Sequence, residues 1–394
     1  MHIIKEKRFY INLLTITIPI ALQNLISFAT SMMDTIMLGR ADDTGVFLSA
    51  SSLANQPFFI LSLVCFGLAG ASTVLSAQYW GKHDTASIRS IYSIILKVAF
   101  VISTLMALAV LIFPQAVMGI YSNNDEIIAA GISYLRLIGF AYILFGLSNT
   151  MICCIRSIEL VKISVVVNIT SFCTNVFLNW VLIFGNLGAP ALGIRGAAIA
   201  TVISQYISGI GLMIYVYIRY PELRLKYEDT KFVKRTAYDI AILSGMTCLQ
   251  QSVMNFGILM VQGIVNSFGT QIMAAFAVSV KIDTIAYMPV QDFGNAFSTF
   301  IAQNFGAGKY DRIKDGIKKA LKSVVLFCIF ISAIVFIFAK PLMMIFVNAE
   351  STEIINIGVQ YLRIEGACYI GIGILFMLYG YYRAINKPSM SVVL

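Results

Sequence analysis

Apolar runs of about twenty residues recur along this whole chain, each long enough to cross roughly 30 Å of hydrocarbon as an α-helix. We place spans at 11–38, 52–77, 91–113, 132–155, 163–185, 195–218, 240–263, 273–301, 321–339 and 361–382, with a further apolar start cut off at Leu394. A soluble fold of 394 residues has no interior large enough to hide them all. Composition agrees, because 59% of the residues are hydrophobic and only 12% are charged. An all-α polytopic membrane protein is therefore expected. That excludes a secreted disulfide scaffold, a soluble dinucleotide-binding enzyme and a nucleic-acid binder. No cleavable signal peptide is expected, since the first apolar segment, behind Lys5, Lys7 and Arg8, is too long for a signal core.

The net charge of +9 is explained by topology. Basic residues gather at the N-terminus and after every second span: Lys82 and Arg89, Arg156 and Lys162, Arg383 and Lys387, and two denser groups. One dense group is Arg219, Arg224, Lys226, Lys231, Lys234 and Arg235; the other is Lys309, Arg312, Lys314, Lys318, Lys319 and Lys322. The opposite face holds only Arg40, Arg136, Arg195, Lys340 and Arg363. Because positive loops stay cytoplasmic, the N-terminus and all even loops are expected inside, in a plasma (inner) membrane.

Self-comparison reveals a repeat. Ala77-Gln78 and Gly81 recur as Ala302-Gln303 and Gly306, an offset of 225. At 227, Pro114 matches Pro341, Gly131 matches Gly358, Tyr134-Leu135-Arg136 matches Tyr361-Leu362-Arg363, Gly139 matches Gly366, and Arg156 matches Arg383. Two homologous six-helix halves joined by the basic sixth loop account for this. Six is even, so both halves start on the cytoplasmic side and the repeat is parallel. We expect an N-terminal lobe over 1–218, a basic cytoplasmic linker over 219–236, and a C-terminal lobe over 237–394. The offset places Leu394 opposite Val167, so the second lobe is expected to hold about four helices and the start of a fifth, lacking its last two.

Polar residues in the spans are the candidates for chemistry. A carboxylate inside a span, such as Asp34, costs roughly 2.5 to 3.5 kcal/mol on insertion scales and needs a compensating role. Helical geometry puts Gln23, Ser27 and Thr30 on about the same face as Asp34, a stripe expected to line a wet interior. Pro19 removes a backbone donor and is expected to bend that helix. Such an acid can exchange H⁺ or Na⁺ with cargo, or make an interhelical hydrogen bond. Asn175 and Asn179, spaced i, i+4, share a face; they can coordinate an alkali cation, hold a carboxyl or simply join helices. The eighth span carries Lys281, Asp283, Pro289, Asp292, Gly294 and Asn295, which suggests a locally unwound segment lining a cavity. Lys281 and Asp283 point apart and read as satisfied structural charges more than as coupling residues. Glu365, beside Arg363, reads as a solvated interface residue.

Enzymatic signatures are missing. Neither His2 nor His83 sits in an HExxH motif, and there is no GxxxxGK[ST] or GxSxG, so no catalytic centre, nucleotide hydrolysis or cofactor is expected. The seven cysteines all fall in spans without a CxxC pair and read as packing residues.

Several segments resemble the multidrug and toxin extrusion (MATE) transporters. They are Asp34-Thr35-Ile36-Met37-Leu38-Gly39, the loop with Gln78 and Gly81, Gln303-Asn304-Phe305-Gly306-Ala307-Gly308, and Asn175 through Leu182-Ile183-Phe184-Gly185 to Gly196-Ala197-Ala198-Ile199-Ala200-Thr201. The resemblance implies two lobes forming a V around a central cavity, with monomeric export of amphiphilic organic cations in exchange for H⁺ or Na⁺. It matches the family's first-helix acid to Asp34 and its proline to Pro19. The family's cation site maps onto Asp34, Asn175, Asn179 and Thr201, which would make any Na⁺ site lie at Asp34, Asn175 and Asn179. Asn179 stands where many members have Asp, which leaves the ion open. The tenth span has Gly371 and Ile372 where some members carry an acid, so coupling through the second lobe is not expected. A related reading keeps the fold and changes the cargo to lipid-linked oligosaccharide; it requires a cavity rich in Arg and Lys, and the spans offer little beyond Lys97 and Lys281.

Overall fold

The computed structural model describes residues 2–226, 229, 233–348 and 350–394, with side chains from residue 10 onward except residue 12. The side chains of Lys5, Lys7 and Arg8, and linker residues 227, 228 and 230–232 with Lys231 among them, lie outside the described residues. The helices are α1 (His2–Ala41), α2 (Val46–Ala54), α3 (Gln56–Gly81), α4 (Thr85–Ile112), α5 (Pro114–Tyr121), α6 (Asp125–Ser157) and α7 (Lys162–Phe184). They continue as α8 (Ile194–Arg219), α9 (Lys234–Val265), α10 (Thr270–Gly306), α11 (Tyr310–Met344), α12 (Thr352–Ala367), α13 (Tyr369–Ala384) and α14 (Pro388–Val393). Among the described residues there is no strand.

Nine segments of the described residues are long and apolar enough to cross a membrane, and α12 with α13 makes a tenth, bent by 51°. This is a multi-pass membrane protein. The expected span over 361–382 falls on this pair, which is broken at Cys368. At Cys368 the ladder tightens to i→i+3 bonds, Cys368 N–H to Glu365 O at 2.8 Å and Gly371 N–H to Cys368 O at 2.9 Å. The unwinding expected in the eighth span is corrected, since α10 is helical from Thr270 to Gly306 with Pro289 inside it. One lost donor is a small cost to a helix of 37 residues that packs against α11, α12 and α13. Likewise α1 runs helical through Pro19.

The chain divides into two compact units, residues 18–244 and residues 1–17 with 245–394; one boundary falls inside α1 and the other inside α9. Within 18–244 two apolar clusters form. Leu38, Leu61, Leu135, Tyr142, Ile183 and Ala198 belong to one, and Ile88, Cys154, Ile155, Leu212 and Val216 to the other. Within 245–394, α10 and α13 approach so closely that a Cβ on Gly294 would lie 2.8 Å from the Phe376 carbonyl. Small residues permit such backbone contact where lipid supplies no hydrophobic drive between helices.

The repeat read from the sequence recurs as contacts. Gly131 of α6 faces Met118 of α5, and Gly358 of α12 faces Met343 of α11. Gly139 faces Val110 and Leu111, and Gly366 faces Val335. Even the backbone break repeats: Phe113 leaves helical geometry at φ −118°, ψ 43° just before Pro114, and Phe338 does so at φ −98°, ψ 15° before Pro341.

Candidate functional site

Asp34 sits on α1 seven residues before Ala41, partly shielded rather than fully buried. Its Oδ1 accepts a hydrogen bond from Asn179 Nδ2 on α7. The same amide nitrogen donates to Asn175 Oδ1 at 3.1 Å, one turn earlier. Asn175 Nδ2 in turn donates to Thr201 Oγ1 of α8 at 3.2 Å. Asn175 and Asn179 are 1% and 0% exposed, so this polar chain is enclosed by protein. Asn179 Oδ1 is buried with no hydrogen-bond donor among the described residues, and an orphaned oxygen of this kind is costly unless something else binds it.

The local sequence sets up this geometry. Gly185 ends α7 in the left-handed region at φ 75°, which lets the chain turn back immediately. A Cβ on Gly196 would lie 2.5 Å from the Leu182 carbonyl, so only glycine lets α8 start against the end of α7. Leu192 N–H then bonds Leu182 O at 2.8 Å, and this hairpin sets Asn175 beside Thr201.

The four residues aligned with the family's cation site, Asp34, Asn175, Asn179 and Thr201, therefore form one hydrogen-bonded chain. The wider stripe on α1 does not share one environment. Gln23 is buried and accepts from Arg156 at 3.4 Å, Ser27 is exposed, and Thr30 is half-buried with its hydroxyl on Ile26 O. Sequence reading missed two neighbours. Tyr134 is 5% exposed, lies within electrostatic reach of Asp34, and donates to Asn55 Oδ1 at 3.4 Å. Its place in the repeated Tyr-Leu-Arg was the available signal.

Unit 245–394 holds a second polar cluster. Asp283 of α10, 2% exposed, accepts from the Tyr369 hydroxyl of α13. Glu365 of α12 and Tyr361, one turn earlier, lie within electrostatic reach of Asp283, and Asp283 Oδ2 and Glu365 Oε2 are buried with no hydrogen-bond partner among the described residues. This corrects the reading of Glu365 as a solvated residue: one of its oxygens is buried. Tyr361 and Glu365, an i, i+4 pair, were the overlooked sign. Lys281 is exposed, pointing away from Asp283 as its spacing implies, and Asp292 is 1% exposed. No group of three or more His, Cys, Asp or Glu is placed to hold a metal ion among the described residues.

The chain is similar to known proteins over nearly its full length. A MatE family model matches residues 19–181 and 244–394. A probable multidrug resistance protein NorM of Thermotoga maritima is 25% identical over 364 residues, covering 90% of this chain and 75% of that one. Another, YoeA of Bacillus subtilis, is 23% identical over 338 residues, 85% of this chain and 73% of its own. Among solved structures, an outward-facing multidrug resistance MATE transporter of the MOP superfamily superposes with a TM-score of 0.87 at 15% identity, over 97% of this chain and 84% of that chain. A MOP superfamily transporter from Pyrococcus furiosus, described as having a binding pocket of reversed polarity, gives the same figures. With its family model matched across both halves and its fold shared with solved MATE transporters, this chain belongs to the MatE family of multi-pass membrane transporters.

Proposed function

We propose that the chain is a secondary antiporter that exports amphiphilic organic cations in exchange for H⁺ or Na⁺. It acts as a monomer in the plasma (inner) membrane, with its N-terminus in the cytoplasm. One observation carries this reading: among the described residues the only bond Asp34 makes to another helix is to Asn179, a fully buried amide whose own oxygen has no donor among them. An ionised Asp34 holds α1 to α7 through a charge-assisted bond, worth about 1.5 to 3 kcal/mol against roughly 1 for a neutral one. A proton arriving at Asp34 weakens that tie. An arriving Na⁺ would find the Asp34 carboxylate, and Asn179 Oδ1 is the nearest oxygen in need of a partner. Either coupling ion changes how firmly α1 is held, which is the differential contact an alternating transporter requires.

A second observation enlarges the reading. Asp283 Oδ2 and Glu365 Oε2 are both buried with no hydrogen-bond partner among the described residues, and a proton on either acid would ease the repulsion between two neighbouring carboxylates. The second unit thus has its own place to hold a coupling proton. Relatives named as multidrug resistance proteins support the cargo class.

The test is efflux of a cationic dye from cells expressing the full chain, with Na⁺ and pH gradients imposed separately. One gradient should drive efflux, and Asp34→Asn should reduce it to passive leak at unchanged expression. Gradient-driven efflux that survives Asp34→Asn would overturn the assignment. Absence of dye efflux with the wild-type chain under both gradients would favour the oligosaccharide cargo instead.

A further inference from the structure

Arg156 and Arg383 occupy matched positions of the repeat, near the C-terminal ends of α6 and α13, yet they hold different partners. Arg156 Nη1 donates to Gln23 Oε1 of α1 at 3.4 Å. Arg383 donates instead from Nη2 to Asn295 Oδ1 of α10 at 3.1 Å, and from Nε to the Tyr379 carbonyl at 3.3 Å. Arg383 is buried, and neither ion pair among the described residues, Arg89 with Asp229 or Lys319 with Asp315, includes it. A buried guanidinium resting on two neutral oxygens is costly, and its fork has donors to spare.

The repeat points to the acceptor that Arg383 does not use. Leu22-Gln23 recurs as Leu249-Gln250, at the same offset of 227 that relates the two arginines. Gln250 of α9 is buried, as Gln23 is, and its Oε1 has no hydrogen-bond partner among the described residues. The bond in the first half shows that positions 23 and 156 lie at one depth, and duplication carries that match to 250 and 383. What differs is a rival amide. At the local offset of 225 Asn295 stands opposite Gly70, so α3 offers Arg156 no acceptor at that place. The helix that carries Gln250 is also loosely held: 6% of the apolar part of α9 is buried, against 28% for α1.

We propose that Arg383 is a two-position latch. Bonded to Asn295, as in this structure, it ties α13 to α10; bonded to Gln250, it ties α13 to α9. Each arrangement satisfies the same guanidinium and leaves one amide oxygen without a donor, so the two lie close in energy and a small movement of α9 exchanges them. Arg156 has no second amide to choose and holds α1 in one arrangement. The latch is independent of cargo and of which ion drives transport.

The test combines two measurements on the detergent-purified full chain. In thermal melting, Asn295→Ala and Gln250→Ala should each lower the midpoint little, because the other acceptor remains. Together they should lower it by clearly more than the sum of the single losses, and Arg383→Gln should abolish that excess. The second measurement is the separation of spin labels at Leu249→Cys and Lys387→Cys, two exposed sites beside the latch, with the native cysteines replaced by serine. Asn295→Ala should shorten that separation as Arg383 draws α9 in, and adding Gln250→Ala should reverse the shortening. A double loss equal to the sum overturns the proposal, as does an excess that survives Arg383→Gln. So does a label separation that Asn295→Ala leaves unmoved, or a shortening that persists without Gln250, since Asn295 would then be a fixed partner and Gln250 a bystander.

Discussion

At the scale of single residues, Asn179 does two jobs with one nitrogen. It donates to Asp34 and to Asn175 while its oxygen stays unpartnered in a buried position. Asn179→Ala removes both donations and leaves Asn175 Oδ1 and Asp34 short of a partner, a loss of about 1 to 3 kcal/mol. Thermal melting should show that loss, and dye efflux should fall with it. Asn179→Asp should restore efflux only where a proton or Na⁺ is plentiful, because two acids would then face each other. Asp34 and the Asn175–Asn179 pair were legible one by one, while their joining into one chain with Thr201 came only from the family resemblance. A carboxylate in an apolar run and two amides one turn apart are visible without knowing the fold. Tyr134 with Asn55, and Asp283 with Glu365, were not visible, because each pair lies about eighty residues apart in sequence and only packing brings it together.

Between the spans, the elements are fixed by ordinary helix chemistry that reads clearly from the sequence. Asp84 caps α4: its carboxylate accepts from the Ser87 N–H at 3.0 Å and from the Ser87 hydroxyl at 2.6 Å. Those bonds favour the charged form and hold its carboxyl below the ordinary aspartate range. A carboxyl whose pKa is lowered on folding gives stability above its unfolded pKa and loses it as pH falls through the folded value. Asp84→Ala should therefore cost about 0.5 to 2 kcal/mol near neutral pH. The gap between the two melting curves should close below about pH 4, where unfolded aspartate begins to protonate. A gap independent of pH down to full protonation would show that the cap acts by shape alone. What was not legible at this scale were the interruptions. Composition of the eighth span pointed to unwinding, yet α10 stays helical because Gly294 lets it pack directly on α13. The tenth span bends at Cys368, between Gly366 and Gly371, but nothing in the sequence set those two glycines apart from the ones that continuous helices tolerate.

Taken as a whole, the molecule repeats its packing as well as its sequence, and the two halves can be tested against each other. Met118 and Met343 are both fully buried, each filling the notch left by a glycine on the next helix, Gly131 or Gly358. The matched positions lie 225 residues apart for the methionines and 227 for the glycines, so the contact itself belongs to the duplicated unit. Truncating a buried methionine removes its packing and leaves a cavity, at a cost of roughly 2 to 5 kcal/mol. Met118→Ala and Met343→Ala should thus lower thermal stability by similar amounts, because the notches are alike. They fall in different compact units, residues 18–244 and residues 1–17 with 245–394. Independent sites add to within about 0.5 kcal/mol. The double variant should accordingly lose the sum of the two single losses. Unequal single losses would mean that the duplicated contact has diverged in energy while keeping its geometry. A double loss well short of the sum would show that the two units melt as one cooperative body, with the second cavity costing little once the first has loosened the whole.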